Sequence, residues 1–132
     1  MGVYSGIAQD NVTINSGKAV LQTMTVTTGV RMVVTAAAAA GTTQANATAL
    51  AEGLNVVSAA DGTKGVRLPT AVAGATVIVK NTAAGALLIY PATGAAINAI
   101  SANGSYSITN LTSSLLVASS TTQWYSVPLV AS

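Results

Sequence analysis

Three carboxylates, Asp10, Glu52 and Asp61, carry the acid–base chemistry open to this sequence, because histidine and cysteine are both absent. A glycosidase-type pair needs two carboxyls at a set separation across a sugar ring, and nothing in the spacing of these three provides it. Asp61 stands before Gly62, a turn dipeptide. Turn and surface positions account for all three acids. Without histidine or cysteine, the usual general base, the thiol nucleophile and most zinc chemistry drop out. The sequence therefore reads as non-enzymatic, with no cofactor and no metal.

What remains is chemistry of contact. Trp124 and Tyr125 are adjacent, so on a strand they point to opposite faces and only one can join the core. The outward ring could stack on a sugar or plug a neighbouring subunit, since aromatics carry large area at low entropic cost. Alternatively both rings pack within the subunit at a strand end. Lys64 and Arg67 flank a turn and could meet an acidic patch on a partner, although exposed cations are usually just solvated. Tyr4, in the N-terminal segment, is a further partner-contact candidate. Tyr90-Pro91 reads as structural: Pro imposes extended geometry on Tyr90 and supplies no ladder donor.

The elements that would position these residues are strands. In Lys18 to Thr27 apolar residues at 20, 24 and 26 share one face, a period of two. Thr28-Gly29 then breaks the run before Val30 to Thr35, which predicts a hairpin. Ala36 to Ala40 is too short to nucleate a helix and reads as a strand end or connection. Thr42 to Gly53 is extended or irregular, with room for one short helical turn. Beyond it, apolar runs alternate with turn residues: Leu54 to Ser58, Val66 to Pro69, Ala75 to Lys80, Ala86 to Pro91, Ala95 to Ile100, Tyr106 to Thr109, Ser114 to Ser119 and Gln123 to Val130. This spacing predicts an all-β fold, an antiparallel β-sandwich or jelly-roll over residues 18–132. Residues 1–17, with glycines at 2, 6 and 17 among polar residues, read as a flexible or extended arm.

Charge is scarce. Only five Lys and Arg and three Asp and Glu occur in 132 residues, against 51% hydrophobic, whereas soluble domains average about 25% charged. Much of the apolar share is alanine, so large core-filling side chains are few. Surfaces destined for permanent contact are depleted in charge, and the composition predicts a subunit of a larger assembly. A net charge of +2 from scattered cations does not make a phosphate-tracking surface, which excludes nucleic acid as a partner. The N-terminus lacks the pattern of a secretory signal. The most apolar window, Val30 to Ala40, is interrupted by Arg31 and is far shorter than the ~20 residues a membrane helix needs, so no membrane segment is expected.

Three pieces carry a family likeness: Val66-Arg67-Leu68-Pro69; Val77 to Asn81 leading into Leu88-Ile89-Tyr90-Pro91-Ala92-Thr93-Gly94-Ala95-Ala96-Ile97-Asn98; and Ser119 to Tyr125. Together they resemble a β module of tailed-bacteriophage virion proteins, found in capsid decoration (cement) proteins and in fibre or tail accessory proteins. The likeness covers slightly under half the chain. It implies a homotrimer on the outer capsid surface of the virion, bound to the major capsid protein and stabilising the capsid. The alternative it implies is a tail-fibre or tail accessory protein that reads a host-surface glycan through Trp124 or Tyr125.

Overall fold

The computed structural model describes Gly29 and residues 31–129 of the chain. The arm at 1–17, the strand at Lys18 to Thr27 and Tyr4 lie outside the described residues. Ten strands follow in order: β1 Val34–Ala38, β2 Thr48–Ala49, β3 Gly53–Ser58, β4 Gly65–Arg67, β5 Thr76–Asn81, β6 Leu87–Tyr90, β7 Ala96–Ile97, β8 Tyr106–Ile108, β9 Ser113–Ala118 and β10 Gln123–Leu129. Between β1 and β2 lies one 3-10 turn, Gln44–Asn46.

From β1 to β9 successive strands do not pair with each other; only β9 and β10, among the described strands, form a hairpin. Up to β9 they alternate between two sheets, sheet A in the order β1-β3-β5-β9-β10-β7 and sheet B in the order β2-β4-β6-β8. Within sheet A, β1 pairs parallel with β3 and β3 parallel with β5, with Val34 beside Leu54 and Leu54 beside Ile78. Within sheet B, β2, β4 and β6 are likewise parallel, and Thr48, Val66 and Ile89 align. The chain thus winds as a β-solenoid, each coil laying one strand on each sheet. Its last part turns back: β8 runs antiparallel to β6, β9 antiparallel to β5, and β10 antiparallel to β9 and parallel to β7.

This corrects the expected antiparallel sandwich or jelly-roll. The strands fall close to the predicted runs, but partnership is decided at the corners, which from β1 to β9 bend the chain to the opposite sheet instead of folding it back as a hairpin. At the β3–β4 corner, Asp61 Oδ1 accepts from the backbone N–H of Thr63 at 2.9 Å, the Thr63 hydroxyl at 2.8 Å and the N–H of Lys64 at 3.1 Å. Gly62, with φ +93, and Ala59, with φ 62, are the left-handed residues of that corner. Corners also stack: the N–H of Gly62 donates to the Ala86 carbonyl at 2.8 Å, one coil further on. Each coil is thereby held in register with the next by its corner as well as by its strands.

The core lies between the sheets. Inward positions of sheet A include Val57, Val77, Val79, Leu116 and Trp124, and those of sheet B include Val66, Leu87 and Ile89, all fully buried. Each such aliphatic side chain contributes roughly 1.5 to 3 kcal/mol on burial. Trp124 pairs across the strands with Ala118 on β9 and beside Ile97 on β7, so the largest side chain sits opposite one of the smallest. Asn55 Oδ1, Ser114 Oγ and Trp124 Nε1 in this core have no hydrogen-bond partner among the described residues.

Candidate functional site

The solenoid gives sheet A an outer face, and that face is apolar. Side chains alternate along each strand, so residues inward on β3, β5 and β9 leave Leu54, Ile78 and Leu115 pointing outward. The register places Val34, Leu54, Ile78, Leu115 and Val127 in one row across β1, β3, β5, β9 and β10. Val34 and Val127, at its two ends, are 64% and 50% exposed. One row to one side run Ala36, Val56, Lys80 and Ser113; one row to the other run Thr76, Val117 and Tyr125. Lys80 bends its ammonium group to the carbonyl oxygen of Leu111, so the only cation of these rows is tied to a loop at the margin.

Trp124 and Tyr125 diverge as adjacent strand residues must. Trp124 is fully buried, whereas Tyr125 is 54% exposed on the outer face of sheet A. Of the two aromatics, Tyr125 alone is placed to meet another molecule. Lys64 and Arg67 are not brought together. Lys64 forms an ion pair with Asp61, three residues back, at 3.1 Å, both side chains nearly half exposed. The three donors around Asp61, with the Lys64 ammonium, hold its carboxyl well below the usual carboxylate range.

Arg67 belongs to a second feature, a groove of about 460 Å³ where the chain leaves sheet B for sheet A. Its floor is Leu50, Leu68, Ala71 and Ala95, all buried, and Thr70, Thr93 and Thr121 stand at its exposed rim. The Arg67 guanidinium makes a weak contact, Nη1 donating to the Gln44 carbonyl at 3.4 Å. Beside it on β6, Tyr90 donates its hydroxyl to the Thr42 carbonyl at 3.2 Å, and its ring covers Gly65, where a Cβ would come within 2.7 Å of Cε2. The acids do not converge: Glu52 lies in the β2–β3 turn and Asp61 in the β3–β4 corner, while Asp10 is outside the described residues. Among the described residues, no group of three or more His, Cys, Asp or Glu side chains could hold a metal ion. No helix among them is long and apolar enough to cross a membrane.

The apolar row is the feature that reading for site residues passed over. Its signal was present in Val77-Ile78-Val79 and Leu115-Leu116-Val117, runs apolar on both faces, as in strands covered on both sides. Taken singly, each run looked like core.

Compared with protein-family models, with curated proteins and with solved structures, the chain matches none. The phage likeness stated above therefore rests on the quoted residues alone, and its sandwich or jelly-roll architecture is replaced by the solenoid.

Proposed function

We propose that this chain is a non-enzymatic structural subunit that works by packing its outer β face against other protein chains. The observation that carries the reading is the row Val34, Leu54, Ile78, Leu115 and Val127, apolar across five adjacent strands, exposed at its two ends and part-exposed at Leu54, Ile78 and Leu115. Contiguous apolar patches mark interaction sites, because leaving them in water costs free energy that burial recovers. The low charge of the whole chain supports the same reading.

In its most specific form the subunit is a homotrimeric capsid decoration protein bound to a major capsid protein on the outer surface of a virion. That form is supported by the sequence likeness only. Its mechanism is linkage: a subunit that binds the assembled lattice and not its dissociated parts stabilises the lattice by mass action, and many weak contacts act together. The test is co-sedimentation of the purified chain with capsids lacking it, together with the heat stability of those capsids. Saturable binding that raises capsid stability is the expected result. A chain that neither sediments with capsids nor protects them removes the capsid form of the proposal.

A further inference from the structure

We infer that the outer face of sheet A is the surface through which copies of this chain associate with one another. The inference rests on the assembly reading above and names the occupant of the face. A symmetric contact sets a surface against itself, so any charge on it meets its own kind. The three central rows carry one charge, Lys80, and its ammonium group is taken up by the Leu111 carbonyl. The other charged residues from 52 onward lie elsewhere: Glu52, Asp61 and Lys64 in turns, Arg67 on sheet B. A face meant for a charged scaffold would present complementary charge at its centre, and the central row Val34, Leu54, Ile78, Leu115 and Val127 has none.

The layout also matches what an interface needs. Its centre is aliphatic, with the half-exposed Tyr125 ring beside it, and its margin is polar, with Thr76, Ser113 and Ser58. An apolar centre enriched in aromatics with a polar rim is the common anatomy of protein contacts. Two sheets bury such faces by stacking about 10 Å apart. Ile78 lies on β5, the middle of the five strands that carry the row, so in a closed symmetric arrangement centred on the row it stands nearest the axis and faces its own copies.

That placement gives a direct test, because the chain has no cysteine and Ile78→Cys creates a single thiol. Treated with a short bis-maleimide, the full-length Ile78→Cys variant is expected to yield covalently linked copies. Thr93→Cys, in the exposed loop after β6, is expected to stay single. Separately, Ile78→Asp is expected to lower the native mass from oligomer to single chain while leaving the far-ultraviolet circular dichroism unchanged. An Ile78→Asp protein that keeps the parent's oligomeric mass overturns this surface and leaves the assembly reading standing. A parent chain that stays single at high concentration also overturns it. If that single chain binds capsids and Ile78→Asp does not, the face belongs to the scaffold instead.

Discussion

Asn81 and Gly85 close the β5–β6 corner between them, the side-chain amide of Asn81 donating to the Gly85 carbonyl oxygen at 2.8 Å. The same amide donates to the Thr109 carbonyl at 3.1 Å, and Asn81 Oδ1 accepts from the N–H of Ala83 at 3.0 Å. A fully buried asparagine thus satisfies three backbone groups from two segments. Corners of a solenoid bring backbone out of the ladder, and each polar group left there without water needs such a partner.

Asn81→Leu keeps the volume and removes all three bonds. Orphaned buried polar groups cost about 1 to 3 kcal/mol each, so the urea midpoint is expected to fall clearly with the slope of the transition unchanged. A variant as stable as the parent would show that the corner finds other partners.

Gly85 itself is held by space. A Cβ there would lie 2.5 Å from Asp61 Cα and 2.8 Å from the Ala60 carbonyl oxygen. Both are backbone atoms of the preceding corner, which cannot swing aside as a side chain would. Gly85→Ala is expected to cost about 1 to 3 kcal/mol through overpacking, read as a lowered thermal midpoint. An unchanged midpoint would mean the stacked corners separate at little cost.

Asp61 makes stability depend on pH. Its folded-state carboxyl titrates below the ordinary range because Thr63 and Lys64 hydrogen-bond its charged form, while in the unfolded chain it titrates near the usual value of about 3.9. A depressed folded value means the stabilisation is present above the unfolded value and is lost as the pH falls through the folded one. Comparing thermal midpoints of Asp61→Asn and parent from neutral to acid pH should therefore show a gap that narrows below about pH 4. A gap independent of pH would remove the carboxylate from the account.

How far the sequence reached can be followed at single residues. Ala75 to Lys80 and Ser114 to Ser119 read as strands because each is a short apolar run bounded by turn residues, a pattern too brief for a helix. Asp61-Gly62 was legible as a turn, since the side chain bonds the backbone two residues on. Adjacency alone forced Trp124 and Tyr125 to opposite faces. It did not say which ring the core would take. Ala118 and Ile97, brought beside Trp124 by β9 and β7, decided that.

Strand identity and local turn chemistry were therefore properties of the sequence by itself, because both depend on residues within a few positions of each other. Pairing was not. Whether a corner sends the next strand back beside its predecessor or across to the other sheet depends on contacts between residues a full coil apart, such as Gly62 with Ala86 and Leu54 with Ile78. Only the tertiary structure decided those, and with them it aligned scattered outward residues, Val34 through Val127, into one apolar face.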